Sequence, residues 1–187
     1  MPDEPGGLPR PVIITAVALC GVLAAGAAVL GLVFGSGEQL DNGEQPAGRE
    51  PLIVPAAPAP GAGSPRCDKV MRAMPATLVS EGDRLRRLKI ARPAPPSTIA
   101  WGSAEHEPLI LRCGVGRPAE LTRTSPLRVV SRVQWLVVER PGTATWYAVD
   151  RKVYLALTVP SDAGTGPLQT ISKRVRATLP PAPLPFG

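Results

Sequence analysis

The chain has 187 residues, which leaves room for one domain with appendages and excludes more than one modest core. Only 4% of the residues are aromatic, so any core has to rest on Val, Leu, Ile and a few Trp. From residue 64 onward there are 19 Lys and Arg and 9 Asp and Glu, a formal charge of +10. Such a domain attracts nucleic acid, lipid headgroups or acidic wall polymers, although a GC-rich genome enriches Arg, Ala, Pro and Gly without any such partner.

Residues 12–34 form an uncharged stretch of 23 residues. A helix of that length measures roughly 35 Å, which is enough to cross a hydrocarbon core of ~30 Å. Arg10 precedes the stretch and acidic residues follow it, so the positive-inside rule predicts a single-pass protein of the cell membrane with residues 1–11 in the cytoplasm. A cleaved signal peptide is the alternative, although its apolar core is usually about 7–15 residues long.

A Pro- and Gly-rich segment, residues 35–63, follows this stretch and has too few apolar residues to pack a core. We expect it to be a disordered linker that holds an extracytoplasmic domain, residues 64–180, away from the bilayer. The Pro-rich tail, residues 181–187, cannot be helical and is expected to be exposed.

The domain begins with a helix signal, because Ser64 is a good N-cap and Pro65 suits the first helical position. The apolar residues that follow share one helix face: Cys67, Val70, Met71 and Met74. Pro75 ends this helix. Residues 85–90 alternate with Arg and Lys and predict a strand, and residues 109–115 predict another.

Residues 129–138 are rich in β-branched side chains and predict one long strand. Pro141-Gly142 supplies a turn, residues 145–149 return, and residues 153–159 alternate between apolar and other side chains. This pattern is typical of an antiparallel meander with one apolar face.

Gly166-Pro167 opens a final helix, which Pro180 stops. Its apolar stripe comprises Leu168, Ile171, Val175 and Leu179. A helix that follows a meander favours an architecture in which helices cover one sheet face. The sequence therefore predicts an α+β fold: a small antiparallel sheet with a short N-terminal helix and a C-terminal helix.

Cys67 and Cys113 are the only cysteines outside the apolar stretch. In an exported domain they would lie in an oxidising compartment, where paired thiols tend to become a disulfide. The bridge would close a loop of 47 residues, worth roughly 4 kcal/mol on the chain-entropy formula. Two buried free thiols are the alternative. A tetrahedral metal shell is not expected from two Cys and one His at no ligand spacing, and no cofactor is predicted.

His106 is the only histidine and lies between Glu105 and Glu107. The trio could hold a catalytic acid or base or a weak metal site, or it could be a solvated loop. The chain contains no nucleophile elbow, phosphate-binding glycine loop or zinc-protease motif. The tryptophans could form a stacking platform for sugars or belong to the core: Trp101, Trp135 and Trp146.

A basic run could contact an anionic envelope polymer or lipid headgroups. It comprises Arg84, Arg86, Arg87, Lys89 and Arg92. Nucleic acid is not expected as the partner of an exported domain.

Several short motifs occur together between Cys67 and Pro180. They are Trp101-Gly102, Leu111-Arg112-Cys113-Gly114-Val115, Val133-Gln134-Trp135, a strand ending Val159-Pro160 and a helix ending Leu179-Pro180. The chain thereby resembles the actinobacterial family labelled domain of unknown function 3515. The resemblance implies an exported or membrane-anchored envelope protein of unassigned activity, and it carries over no catalytic residue.

Three functions are compatible with this sequence. The leading expectation is a non-enzymatic envelope module that binds a partner protein or an anionic envelope polymer. The second is an envelope-acting hydrolase that uses His106 with a nearby Glu. The third is a subunit of a membrane complex, assembled through small residues such as Gly31 on one face of the membrane helix.

Overall fold

The computed structural model describes residues 50–104 and 106–186. The predicted cytoplasmic tail, the predicted membrane span at 12–34 and the first part of the predicted linker lie outside the described residues. Neither helix in the described ranges combines the length and the hydropathy that crossing a bilayer requires.

The described residues form two helices and eight strands. In chain order they are α1 (Pro65–Arg72), β1 (Thr77–Ser80), β2 (Asp83–Arg87), β3 (Thr98–Gly102), β4 (Leu109–Val115), β5 (Leu127–Val130), β6 (Val133–Arg140), β7 (Thr143–Ala148), β8 (Tyr154–Pro160) and α2 (Gly166–Thr178).

All strands of the described region belong to one sheet with the order β1-β2-β3-β4-β8-β7-β6-β5. Every neighbouring pair is antiparallel. Strands β1–β4 form one meander and β5–β8 form a second, and the two meet where β4 pairs with β8. This is the α+β class predicted from the sequence, with a sheet larger than the small one expected.

Helix α1 begins as its sequence predicts. The Ser64 side chain accepts a hydrogen bond from the Cys67 backbone N–H at 3.3 Å, and Pro65 lies in the first turn, where no N–H is needed. Cys67 and Val70 are fully buried and pack the helix against the sheet.

Helix α2 carries the second predicted apolar stripe. Its buried members include Leu168, Ile171 and Val175, and Leu179 is buried just after the helix ends. The helix contacts β1 at one edge of the sheet and also β5 at the other edge. Because one helix touches both edges, the sheet curls around it.

The single strand predicted at residues 129–138 was wrong, because the chain turns in the middle of it. Strands β5 and β6 are separated by Ser131 and Arg132, whose φ angles are 49° and 64°. A two-residue turn with both φ angles positive suits the twist of a hairpin, but it usually contains Asn or Gly. β-branched residues on both sides concealed it.

In place of the strand predicted at residues 85–90, the structure has β2, which begins two residues earlier and ends three residues earlier. It forms a hairpin with β1, whose turn consists of Glu81 and Gly82 with φ angles of 50° and 99°. Neither β1 nor β3 was predicted. Each has only four or five residues, too few for a period of two to stand out.

Successive side chains of each strand point to opposite faces of the sheet, and we call the face covered by the helices the inner face. Trp101 and Trp135 are fully buried in its core. The Trp101 indole donates to the Pro75 carbonyl at 3.0 Å, and the Trp135 indole donates to the Ser172 hydroxyl at 3.1 Å. These two rings therefore belong to the core rather than to a sugar platform.

Residues 50–62, which composition assigned to the linker, lie against the sheet, and we call them the strap. Leu52 exchanges backbone hydrogen bonds with Lys89 and Ala91, at 2.8 Å and 2.9 Å. Gly61 donates its N–H to the Gly114 carbonyl at 2.9 Å. Composition misled because the strap is held through backbone groups, which a count of apolar residues does not register.

The tail, which was expected to be exposed, also packs against the domain. Ala182 donates its N–H to the Asp150 carbonyl at 2.8 Å, and Pro181 forms a bridge with Arg151. A second core cluster is formed by Leu121, Leu136 and Val149, with Leu184 and Phe186 packed against it. Leu136 lies between inward-pointing neighbours on β6, so this cluster belongs to the opposite face, which we call the outer face.

One corner of the domain joins α1, β4 and the strap. A disulfide links Cys67 to Cys113, the pair predicted from the sequence, with Cα atoms 5.6 Å apart. Gly114 has a φ of 79°, and a Cβ at this position would overlap the backbone of Gly61 and Ala62. Glycine is therefore required where the strap crosses β4.

Candidate functional site

Most of the motif residues build the fold. The fold accounts for Trp101, Trp135, Cys113 and Gly114 as described above, and a Cβ on Gly102 would press against the Leu88 side chain. Arg112 is different. It follows a buried residue and precedes another on β4, so its side chain points to the outer face, away from the helices.

Arg112 lies in a cross-strand row with two other outer-face residues. Ala156 of β8 pairs with Arg112 on one side and with Tyr147 of β7 on the other. Adjacent strands lie about 4.8 Å apart, so the backbones of Arg112 and Tyr147 are roughly 10 Å apart, with only a methyl group between them. This small side chain leaves a depression in the surface of the sheet.

The depression is a pocket of about 330 Å³, which we call the outer pocket. Ala156 forms its floor. The hydroxyl oxygens of Thr145 and Thr158, on adjacent strands, are 3.5 Å apart and line one wall. The strap and the loop 116–120 form the rim. Its size lies near the lower end of the range that holds small ligands, about 300–1,000 Å³.

The Arg112 guanidinium is held from the side of the strap. Its Nη2 donates to the Pro55 carbonyl at 2.9 Å. Its Nε is buried and has no hydrogen-bond partner among the described residues. Burial lowers the pKa of Arg112, and Tyr147 opposes that effect. An arginine still keeps its proton at neutral pH, so the pocket wall presents a partly desolvated cation.

Tyr147 faces this cation across the floor. Burial raises the pKa of the Tyr147 phenol, and Glu120 raises it further, whereas Arg140 and Arg112 lower it. The phenol therefore carries its proton at neutral pH and can donate a hydrogen bond. The charges of Arg140, Arg112 and Glu120 all act on this phenol.

A second cavity of about 310 Å³, the hairpin cleft, lies between the β6–β7 turn, the end of β8 and the start of α2. Trp146, Val159 and Leu168 line it, and Arg140 is at its rim. The Trp146 ring also packs against Arg128, whose guanidinium carbon is 5.8 Å from the ring centroid. This cleft offers apolar surface in which an aliphatic group would fit.

His106 contacts two aspartates from distant parts of the chain. Its Nε2 is 2.8 Å from Asp83 Oδ2, and its Nδ1 is 3.3 Å from Asp162 Oδ2. The hydrogen bonds to Asp83 and then to Asp162 raise the pKa of the imidazole. Carboxylates only accept, so both contacts are hydrogen bonds only when the ring carries both protons. Of the two glutamates flanking His106 in the sequence, Glu107 is exposed and Glu105 lies outside the described residues.

This arrangement constrains the chemistry of His106. A ring whose two nitrogens each donate to a carboxylate has neither nitrogen free to accept a proton. The ring nitrogens point in different directions, so the two aspartates cannot join one of them on a single metal ion. Within the described ranges no group of three or more His, Cys, Asp and Glu could hold a metal.

The predicted basic run does not form one surface. Arg84 and Arg86 are exposed on the outer face of β2, whereas Arg87 points inward and donates to the Met74 carbonyl at 2.8 Å. The Arg87 guanidinium carbon also lies 6.0 Å from the Trp101 ring centroid. The other members are exposed beyond the end of β2: Lys89 and Arg92.

A family model described as "protein of unknown function (DUF3515)" matches residues 13–184. The chain belongs to the DUF3515 family. The match extends beyond the residues that carried the resemblance and includes the strap, both helices and part of the tail. No curated protein and no solved structure matches the chain significantly.

In this DUF3515 chain, sequence reasoning found Arg112 but missed the residues around it. Tyr147, Ala156 and the two threonines come from β7 and β8, about 35 to 45 residues further along the chain. A signal was present: on both strands the positions between inward-pointing residues hold hydroxyl groups or a small residue instead of charges. Pairing them with Arg112 required the order of the strands, which no local pattern contains.

Proposed function

We propose that the chain is a tethered binding module of the cell envelope, whose domain lies outside the membrane and recognises an anionic envelope polymer. The observation that carries this proposal is the outer pocket: a polar depression, walled by a half-buried arginine, on the sheet face that neither described helix covers. A binding function needs a preformed, oriented donor, and Arg112 supplies one.

Two further observations support an extracytoplasmic, membrane-anchored placement. The family match begins at residue 13, inside the uncharged stretch at 12–34, so this stretch belongs to what the family shares. Cys67 and Cys113 form a disulfide, which is a common feature of proteins in oxidising compartments and rare in the cytosol.

An envelope-acting hydrolase is the second candidate. The Asp83–His106 contact favours it, because an aspartate that orients an imidazole is the usual partner of a general base. Asp162 counts against it, since it occupies the other ring nitrogen. If this candidate is correct, replacing Asp162 with Asn frees that nitrogen and raises the activity rather than abolishing it.

The third proposal concerns assembly through the uncharged stretch at residues 12–34. Its test is Gly31→Leu in the full chain, because a bulky residue would separate helices that pack through small residues. Loss of cross-linked complexes from native membranes would favour assembly, and unchanged complexes would remove it.

The placement is tested in intact host cells that carry the full chain. Protease added outside spheroplasts should remove the C-terminal half, and a membrane-impermeant thiol reagent should label Cys67 and Cys113 only after reduction. Protection of the C-terminal half, or labelling of both thiols without reduction, would overturn the proposal.

Binding is tested with the purified full chain in neutral detergent and with isolated envelope freed of its own copy of the protein. We expect the chain to sediment with the envelope and to be released by high salt, because contacts between exposed charges are screened. A chain that stays in the supernatant at low salt would contradict the proposal.

A further inference from the structure

We propose that the outer pocket binds one oxyanion, a carboxylate or a phosphodiester, carried by a ligand with neighbouring hydroxyl groups. The inference rests on the proposed function and deepens it, since it names the residues and the chemical class. Arg112 would bind the oxyanion. Tyr147 and the two threonines would form hydrogen bonds with the neighbouring hydroxyl groups of the ligand.

The incomplete hydrogen bonding of Arg112 is the first argument. A guanidinium has five N–H donors, and a buried donor without an acceptor costs free energy. The described residues provide the Pro55 carbonyl for Nη2 and nothing for Nε, and no ion pair within them involves Arg112. An oxyanion in the pocket would neutralise the charge and accept hydrogen bonds from the Nη N–H groups that the Pro55 carbonyl leaves available, and charge-assisted contacts of this kind are the strongest that arginine makes.

The second argument is that the guanidinium is preorganised. It is attached to the middle of β4, a strand paired on both sides, and the strap carbonyl fixes its far end. A side chain that is already ordered loses little entropy when a ligand binds. Arg112 lines the outer pocket, whereas Arg84 and Arg86 of β2 do not.

The third argument comes from the floor. Ala156 separates Arg112 from Tyr147, so a ligand group about as wide as the distance between adjacent strands fits between their side chains. On the next row, the Thr145 and Thr158 hydroxyls offer both donors and acceptors. Such a wall matches the hydroxyls of a sugar or a polyol rather than an aliphatic chain.

The fourth argument concerns the rim, where Glu120 stands. Arg117 also lines the pocket, but its Nη2 donates to the Leu121 carbonyl at 2.9 Å and its guanidinium packs on the Phe186 ring. The Glu120 carboxylate repels a second anion and accepts hydrogen bonds from ligand hydroxyls. The site therefore suits a polymer with one negative charge per repeating unit and hydroxyl groups between the charges. Uronic-acid glycans and polyol phosphates both have this pattern, and they differ only in which oxyanion they carry.

The experiment measures binding of defined probes to the full chain in neutral detergent. The probes are a uronic-acid oligosaccharide, a glycerol phosphate oligomer and, as the neutral control, a malto-oligosaccharide. We expect at least one anionic probe to bind and the neutral one not to. Comparison of the two anionic probes then shows which oxyanion the site prefers.

Three variants localise the binding. Arg112→Gln and Ala156→Leu should each weaken it about tenfold or more, the first by removing the cation and the second by filling the floor while keeping Arg112. Arg123→Gln, which removes the same charge from an exposed loop, should stay within about twofold of the wild type. Because Ala156→Leu leaves the strap contact of Arg112 intact, it separates loss of the site from loss of the strap.

The outcomes distinguish the two levels of the proposal. If the Arg112 and Ala156 variants bind the probes as well as Arg123→Gln does, or if the wild type binds neither anionic probe better than the neutral one, the pocket assignment is wrong. The envelope-binding function would then still stand if the wild type sediments with the envelope. If it does not sediment, the proposed function falls as well.

Discussion

Gly114 occupies a position where both the backbone angle and the available space require glycine. Its φ of 79° lies in the left-handed region, and the strap crosses within contact of its Cα. Each of these conditions alone would disfavour a side chain. Together they mean that a side chain at this position could be accommodated only if the strap left the sheet.

We therefore expect Gly114→Ala to lower the free energy of unfolding by more than about 2 kcal/mol. Gly116→Ala is the matched control, because the space around Gly116 is open and no clash follows. Chemical denaturation of the full chain measures both. Equal stability of the two variants would show that the strap does not pack on β4 as described.

Asp150 and Arg151 form an ion pair that is almost completely buried at the β7–β8 turn. Their closest atoms are 2.8 Å apart, and both residues are 4% exposed. Arg151 also donates to the Arg132 carbonyl at 3.1 Å, so the pair supports the hairpin turn between β5 and β6.

Removing one partner leaves the other as a buried, unpaired charge. Asp150→Asn should therefore cost about 3–5 kcal/mol of stability, and Arg151→Met should cost a similar amount. Lys152→Met serves as the control, since Lys152 is the exposed neighbour. Thermal unfolding measures all three, and a loss no larger than that of the control would contradict the buried pairing.

The sequence revealed residues whose role depends on their immediate neighbours. The N-cap at Ser64 and the pairing of Cys67 with Cys113 could be predicted, because capping is local and only two thiols were available. The partners of His106 could not, since Asp83 and Asp162 lie 23 and 56 residues away in the sequence. The sequence pointed instead to the glutamates on either side of His106, because they are its immediate neighbours.

At the scale of elements, the disulfide fastens a short helix to the middle of a long sheet. Helix α1 has only eight residues, too few to be stable alone in water, so its position depends on what holds it. The Cys67–Cys113 bridge and the burial of Val70 are the contacts that do so.

The double variant Cys67→Ala, Cys113→Ala should lose about 4 kcal/mol of stability, because the unfolded chain regains the freedom of a loop closed across 46 residues. Cys20→Ala, which leaves the bridge intact, is the control. Denaturation with and without a reducing agent measures the effect. The reductant should lower the stability of the control and leave the double variant unchanged.

Helices were easier to predict than strands in this chain. Both helices have a proline in the first turn and an apolar stripe of period 3.6, two signals that agree. The β5–β6 hairpin lacked any turn signal, because Ser131 and Arg132 replace the usual Asn and Gly. Tertiary contacts such as the Arg151 side chain compensate for this unfavourable turn chemistry.

At the scale of the whole molecule, the contacts of His106 join three segments that are distant in sequence. Asp83 begins β2, His106 lies between β3 and β4, and Asp162 follows β8. The contact therefore links the first meander to the connection that leads from β8 into α2. Its state depends on pH, since only the doubly protonated ring donates to both carboxylates.

We expect the pKa of His106 in the folded chain to lie above the ordinary value of 6.5. A folded-state pKa above the unfolded value means that the contact stabilises the fold fully below the unfolded pKa and is lost as pH rises through the folded one. Asp83→Asn should lower the pKa more than Asp162→Asn, because the Asp83 hydrogen bond is the larger cause.

NMR measures this pKa directly, because the chain contains a single histidine. Hydrogen exchange of residues 161–165, corrected for intrinsic rates, should accelerate above the measured pKa and lose that pH dependence in His106→Gln. A pKa at or below 6.5 would show that the two aspartates do not contact the ring in solution.

The overall class was predictable, whereas the topology was not. Alternating strands followed by a helix imply an α+β fold, and that much is local information. The pairing of β4 with β8 joins segments separated by the whole second meander, and the outer pocket exists only because of that pairing.

The strand order also dictates when the fold can exist during synthesis. In a nascent chain that has emerged only as far as β7, one side of β4 is still unpaired. Helix α2, which touches both edges of the sheet, follows all eight strands in the sequence. Contacts this distant in sequence close slowly. The complete sheet therefore cannot form until β8 and α2 have both emerged, and a shorter nascent chain can pair only part of its strands.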